Sequence, residues 1–427
     1  MSSFHLVGGE MHADAVPLAA IAAAVGTPAY VYSADALRRS AQRFRAALGK
    51  VPRKQLMFAV KANPASAVLR VLADQSYGAD IVSGGELDCA LGAGISANHI
   101  VYSGVGKTAP ELIAALDAGI GRFNVELERE GQLLSALAAQ RGRRAPALLR
   151  INPDVDASTH SKITTGRLDS KFGIPIDDAL AMYDRLARLP GLDLHGLAVH
   201  IGSQIVDLAP LEAAYRKIGD LIRALRQKGH RVYHVDLGGG LGVSYRPGQP
   251  GADVEAYGAM VAEVMRDWDV TLLFEPGRFI AAEAGILLTR VLWVKPGPGH
   301  PFVVVDAAMN DLARPALYDA WHEFAAVRPT GGTFIANIVG PICESGDTFV
   351  REREIDRVQE GDLALFRTAG AYGASMASTY NCRAIAPEVL VDDNRYATVS
   401  ERVAAHQVRR QRLAPWMDDG APSIRAA

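Results

Sequence analysis

The chain has 427 residues, enough for two domains with substantial cores. It is 49% hydrophobic and 22% charged, and its 45 basic and 47 acidic residues leave a formal net charge of −2, which gives no reason to expect nucleic acid or an anionic membrane as partner. Three widely spaced cysteines, Cys89, Cys343 and Cys382, argue against a disulfide framework and form no zinc-type cluster, so no metal is expected.

At the N-terminus, Met1-Ser2-Ser3-Phe4-His5 has no basic region leading into an apolar core. No apolar run anywhere reaches the ~18 residues of a membrane helix. A soluble cytoplasmic protein is expected. The Ala-rich Leu18–Val25 reads as a short helix. From about Gly26 to Arg278, short apolar runs alternate with helix-like stretches. The runs are Leu56–Val60, Gly78–Val82, Ile100–Ser103, Arg122–Val125, Ala147–Ile151, Leu194–His200, Val232–Leu237 and Thr271–Glu275. Most are too short for helices and are rich in β-branched or aromatic residues, as buried strands are. Ala65–Gln75, Pro110–Ala118 (closed by Gly119) and Leu211–Gln227 carry helical patterns. Eight strands alternating with helices over ~250 residues is the count of a (β/α)8 barrel, with a doubly wound open sheet as the alternative.

After Arg278 the texture changes. Ala284–Lys295, Pro301–Asp306, Thr333–Val339 and Asp362–Phe366 read as strands without long helices between them. Short helical pieces are expected around Arg314–Phe324 and Gly373–Ala377, and turns at Pro296–Gly299 and Pro329–Gly332. The expected fold is α/β: a TIM-like barrel over residues 30–280, then a mostly β domain over 281–427 with roughly residues 1–29 packed alongside.

In Phe58–Pro64 an apolar strand ends at Lys61. Barrel active sites lie at the C-terminal ends of the strands. A lysine among apolar neighbours there is expected to have a lowered pKa and to react as a free amine, as Schiff-base chemistry requires; a snorkelling surface lysine is the competing reading. The seventh strand runs into Asp236-Leu237-Gly238-Gly239-Gly240-Leu241-Gly242, and the eighth into Glu275-Pro276-Gly277-Arg278. Consecutive glycines let backbone N–H groups converge on an anion, and barrels often hold phosphate after strands seven and eight. Arg278 adds charge there or binds a substrate carboxylate. A glycine run alone is usually a tight turn. Combined with a lysine after the first strand, it points to a phosphate-bearing aldehyde cofactor. A carboxylate such as Glu275 at a pyridine nitrogen would keep that ring protonated and make it an electron sink; otherwise it only ties a loop. After the sixth strand, His200 is placed to stack on such a ring and Ser203 to reach the phosphate. His195 and His234 sit inside apolar runs and read as structural.

These segments resemble the fold-type III pyridoxal-phosphate decarboxylases, and within them the diaminopimelate decarboxylase family. The match covers nearly the whole chain. It includes Phe58–Pro64, Ser83–Leu87, Ser103–Lys107, His200–Gln204, Glu275–Arg278, Cys343–Asp347, and Asn381 with Arg383. The stretch after Asn394 follows the family poorly. The resemblance implies a barrel followed by a β-rich domain, with pyridoxal 5′-phosphate as cofactor. It implies that Lys61 forms the Schiff base, His200 stacks on the ring and Glu275 meets the pyridine nitrogen. Gly240, Gly277 and Arg278 would surround the phosphate, and Tyr372 would approach cofactor and substrate. Cys343 would donate the proton that replaces the lost carboxylate and Glu344 would bind the distal ammonium, both reaching into the partner subunit of a homodimer with shared sites. Arg314 and Tyr318 would bind substrate. The expected reaction is decarboxylation of meso-diaminopimelate to L-lysine and carbon dioxide, the last step of lysine biosynthesis. A zwitterionic far end needs a cation and an anion, which Arg314 and Glu344 supply. The competing functions are a decarboxylase of lysine, ornithine or a carboxylated polyamine, an amino-acid racemase, and a catalytically dead regulatory homologue. Arg314, Glu275, and Lys61 with Cys343 argue against them in turn.

Overall fold

The computed structural model describes residues 3–157, 165–167, 170–410, 412–414 and 417. A hairpin of β1 (Phe4–Val7) and β2 (Glu10–Ala13), then the short β3 (Val16–Pro17), leads into the helix Leu18–Val25. β4 (Ala29–Ser33) follows, and the chain then enters the barrel. Its strands are β5 (Lys54–Ala59), β6 (Gly78–Ile81), β7 (Ile100–Tyr102), β8 (Arg122–Val125) and β9 (Ala145–Asn152). After the two-residue β10 (Ile174–Pro175), which pairs with β9, come β11 (Leu192–Val199), β12 (His234–Asp236) and β13 (Thr271–Phe274). All pair in parallel, and the β13–β5 and β8–β9 pairings close the ring. Each of the eight apolar runs overlaps one of these strands, so the barrel stands and the open sheet does not.

The barrel is filled rather than hollow. Met57, Val101 and Leu273 form a buried cluster of their own, and burial of each such side chain is worth about 1.5–3 kcal/mol. Around the strands, the helix Ala209–Gln227 buries Leu211, Tyr215, Ile218, Ile222 and Leu225, an i, i+4, i+7 stripe. The helix Ala109–Ala118 begins with a capping box between Thr108 and Glu111 and ends at Gly119, whose φ of +71° suits a residue without Cβ.

The second layer contains β14 (Gly285–Lys295), β15 (Phe302–Val305), β16 (Phe324–Ala326), β17 (Thr333–Val339), β18 (Thr348–Asp356), β19 (Leu363–Phe366), β20 (Glu388–Asp392) and β21 (Arg395–Ser400). The main sheet runs β18-β17-β15-β14-β4-β20-β21. β4 precedes the barrel in sequence yet lies in the middle of this sheet, antiparallel to β14 and parallel to β20. The N-terminal hairpin docks on the same domain, with the Met11 N–H donating to the Val327 carbonyl at 2.7 Å.

Two features depart from the sequence expectation. The helix expected over Arg314–Phe324 covers only Arg314–Tyr318: Pro315 suits its first turn, Asp319 at φ +50° ends it, and Phe324 opens β16. β16, β18, β20 and β21 were not expected. β18 alternates Arg and Glu through its middle, and β21 is almost wholly exposed, so neither carries the apolar signal by which strands are read. No helix among the described residues is long and apolar enough to cross a membrane.

Candidate active site

Two cavities open at the C-terminal ends of the barrel strands, and the second is bordered by the second domain as well. The first, of about 380 Å³, is lined by Lys61, Asn124, Arg150, His200, Asp236 and Glu275 among others. Lys61 sits in the short turn Val60–Ala62 that ends β5, and its Nζ donates to Oδ2 of Asp80 at 2.7 Å. Asp80 lies in β6 and is fully buried. The lysine therefore departs from the expectation of a lowered pKa. Burial does pull it down, but the charge of Asp80, with Tyr372 and Glu275 behind it, more than offsets burial and the net shift is upward. The Asp80 carboxylate thus holds Lys61 as its ammonium, and a free amine requires that this pair be broken.

Glu275, at the end of β13, is pushed well above the usual carboxylate range by burial and by the neighbouring Asp236 and Asp80. Asp236 is held in place: its Oδ2 accepts from Asn124 Nδ2 at 2.8 Å and its Oδ1 from the Gly238 N–H at 2.9 Å. Oε1 of Glu275 is buried with no hydrogen-bond partner among the described residues. His200 has its pKa driven well down by burial and by Arg150 and Lys61, so its imidazole is neutral. Its Nδ1 lies 3.3 Å from the Gly239 N–H.

The second cavity, of about 290 Å³, is lined by Tyr245, Arg278, Arg314 and Tyr318, with Gln204 and Trp321. Arg278 and Arg314 are 7% and 6% exposed, and among the described residues neither pairs with a carboxylate. Arg278 donates to Ser203 Oγ at 3.0 Å and to Tyr245 Oη at 2.7 Å. Tyr372 joins the two cavities. Its backbone N–H donates to the Ala62 carbonyl at 2.8 Å, beside Lys61, while its ring lies 4.7 Å from the Arg278 guanidinium.

The family model for the pyridoxal-binding domain of the pyridoxal-dependent decarboxylases matches residues 35–282. A diaminopimelate decarboxylase from Zymomonas mobilis is 49% identical over 98% of this chain and 100% of its own length. One from Pseudomonas fluorescens is 47% identical over 94% of this chain and 96% of its own. The solved diaminopimelate decarboxylase of M. jannaschii in complex with L-lysine is 32% identical, with a TM-score of 0.93 over 97% of this chain and 100% of that one.

The chain belongs to the diaminopimelate decarboxylase family.

The cofactor of this family is pyridoxal 5′-phosphate, and the residues present fit it. The orphaned Oε1 of Glu275 is a buried acceptor or proton holder of the kind a pyridine nitrogen requires. In the glycine loop, Gly240 at φ +111° suits no other residue, and a Cβ there would stand 2.5 Å from the Gly202 carbonyl oxygen. Ser203 and Arg278 border the same loop.

The structure brings Lys61, His200 and Glu275 to one cavity of this diaminopimelate decarboxylase fold, and Arg278, Arg314 and Tyr318 to the other. Gly277 packs against Ala59 and Ala62, under the Lys61 turn. Cys343 and Glu344 are exposed and are not among the described residues lining either cavity. Their loop is ordered by the buried Asp347, which accepts from the Met309 and Ile342 N–H groups at 2.7 and 2.8 Å. Sequence reasoning missed Asp80, Asp236, Asn124, Tyr245 and His322. Asp80 and Asp236 did carry a signal, because each is a carboxylate inside a buried strand, which is costly without a task. Tyr245 and His322 carried none.

Proposed function

We propose that this chain acts as a cytoplasmic homodimer that decarboxylates meso-diaminopimelate to L-lysine and carbon dioxide. The observation that carries the reading is the pair of buried guanidinium groups, Arg278 and Arg314, facing a cavity without a carboxylate beside the Lys61 cavity. A substrate with a carboxylate at its far end answers that charge. A plain diamine-forming decarboxylase has no use for it.

When bound, pyridoxal 5′-phosphate supplies an aldehyde that condenses with amines and a protonated ring that accepts the electron pair left as carbon dioxide departs. Lys61 would hold the aldehyde, Glu275 the pyridine nitrogen, and Ser203, Gly240, Gly277 and Arg278 the phosphate. Asp80 anchors Lys61 Nζ at the end of β5 through its 2.7 Å contact. Glu275, raised in pKa by burial and then by Asp236, keeps a proton at its buried carboxyl. The neutral imidazole of His200 offers a flat, uncharged face that excludes water. Arg314 and Tyr318, with Arg278 and Tyr372, orient the distal carboxylate. Cys343 delivers a proton to the carbon that lost its carboxylate, and Glu344 accepts the distal ammonium, each from one chain to the site of the other. In support, Cys343 and Glu344 are exposed on a loop whose base Asp347 ties to the Met309 and Ile342 N–H groups, with Tyr380 Oη donating to Glu344 Oε2 at 2.8 Å. A racemase would suit an arginine at the ring nitrogen, and the residue proposed for that place is Glu275.

Incubation of the holoenzyme with meso-diaminopimelate should yield L-lysine and carbon dioxide in equal amounts; absence of lysine overturns the reading. Sharing between subunits has its own test. Lys61→Ala and Cys343→Ala homodimers should each be nearly inactive. A randomly exchanged mixture should recover about a quarter of wild-type activity, because half the dimers are mixed and each has one intact site of two. With exchange shown independently, no recovery would place Cys343 within its own chain's site or outside the reaction.

A further inference from the structure

Arg314 does not find its own position. Its Nη1 lies 2.9 Å from Nε2 of His322, and Nδ1 of the same imidazole lies 2.9 Å from the Arg367 carbonyl oxygen. A guanidinium only donates and a carbonyl only accepts, so the two contacts admit one tautomer, with the proton on Nδ1 and a free lone pair on Nε2. His322 is 1% exposed. Burial, then the charges of Arg314, Arg278 and Arg353, push its pKa down to about 3, so the imidazole stays neutral beside three cations. Tyr245 completes the arrangement. Its ring meets His322 edge-on at 5.5 Å, lies 4.5 Å from the Arg314 guanidinium, and its hydroxyl accepts from Arg278. The backbone supports the same contact: the helix Arg314–Tyr318 stops at Asp319, and the chain returns so that His322 reaches back to Arg314 eight residues earlier.

Two like charges held side by side in a buried cavity repel, and each long side chain has many rotamers. A neutral acceptor that fixes one guanidinium edge leaves the other N–H groups for an incoming carboxylate. A carboxylate in the place of His322 would neutralise Arg314 and compete with the substrate.

We propose that His322, as its Nδ1–H tautomer, is the positioning residue of the arginine cavity: it fixes Arg314 without neutralising it and so sets the preference for ligands that carry a carboxylate at their far end. The inference rests on the proposed function for the identity of the substrate, though not for the geometry.

The test compares L-lysine with 1,5-diaminopentane, its counterpart without the carboxylate, as competitive inhibitors of the holoenzyme. Wild type should prefer lysine. His322→Phe should lower that preference by about tenfold or more, the worth of a hydrogen bond to a charged group, with cofactor content unchanged. His322→Gln, which still offers one donor and one acceptor, should keep most of it. Arg314→Met should abolish it, and adding His322→Phe to Arg314→Met should change nothing further. A folded, cofactor-loaded His322→Phe with the wild-type preference overturns the inference, as does an effect that adds in full to Arg314→Met. Nitrogen NMR of histidine-labelled wild type decides the matter even where His322→Phe does not fold: an unprotonated Nε2 at His322 supports the inference and a protonated one overturns it. Failure of the functional reading looks different. Wild type would then leave meso-diaminopimelate unconverted, whatever its preference between the two inhibitors.

Discussion

The two cavities are neighbours with opposite electrostatics. Around Lys61 the barrel supplies more acid than base: Asp80, Asp236 and Glu275 are all buried there, and Lys61 is raised in pKa while Glu275 is raised with it. Around Arg314 the barrel loops and the second domain together supply cations and neutral hydrogen-bonding groups, and among the described residues that line that cavity there is no carboxylate. Buried charge of one sign is expensive unless an opposite charge arrives. The acid-rich cavity suits a protonated ring and an amine in transit, and the arginine cavity suits an anion. A molecule that satisfies both is an amino acid with a second carboxylate several bonds away.

The contrast fails first if the acid-rich side does not depend on its lysine. Lys61→Ala should remove the visible absorption of the lysine-linked cofactor and almost all turnover, since no other side chain reproduces the covalent link. A variant that keeps both would end the assignment. Next in size is Glu275→Gln. It removes a proton holder and leaves the phosphate loop alone, so cofactor content should hold while turnover at saturating substrate falls about a hundredfold, the scale of one preorganised electrostatic contact. Unchanged turnover would leave Glu275 a structural role only.

The smallest effect concerns the scaffold under Asp80. Glu111 accepts from the Gly84 N–H at 2.9 Å and so ties the helix Ala109–Ala118 to the turn that follows β6. The Thr108 hydroxyl, then the Gly84 and Thr108 N–H groups, lower its pKa from 4.5 to about 2. A carboxylate with a depressed folded-state pKa stabilises the protein above its unfolded value, and that stability is lost as pH falls through the folded value. Denaturant melts of Glu111→Gln should therefore show a shallower loss of stability between pH 4.5 and about pH 2 than wild type. The difference should stay below about 1 kcal/mol, because the group is solvent-screened. Parallel curves would remove Glu111 from the buttress.

Most of the barrel was legible because its strands are short, apolar and bounded by glycine, proline or helix caps, and because function sits at their ends. Lys61, His200, Glu275 and the glycine loop could be read for that reason. β18 and β21 were not legible, since edge strands carry charge instead of an apolar face. The Lys61–Asp80 pair was not legible either. Its partners lie 19 residues apart on adjacent strands, and only the closed barrel brings them to 2.7 Å. The placing of His322 against Arg314 is a property of one loop's return, which no local pattern records.

The decisive measurement is kcat/KM of the holoenzyme for meso-diaminopimelate, L-lysine and ornithine, side by side. If the acid-rich and arginine cavities act together, meso-diaminopimelate should be preferred by about a hundredfold or more, the range that buried polar groups left unpaired by the wrong substrate produce. Comparable turnover of lysine or ornithine would show that the arginine cavity takes no part in choosing the substrate, and would contradict the two-cavity account.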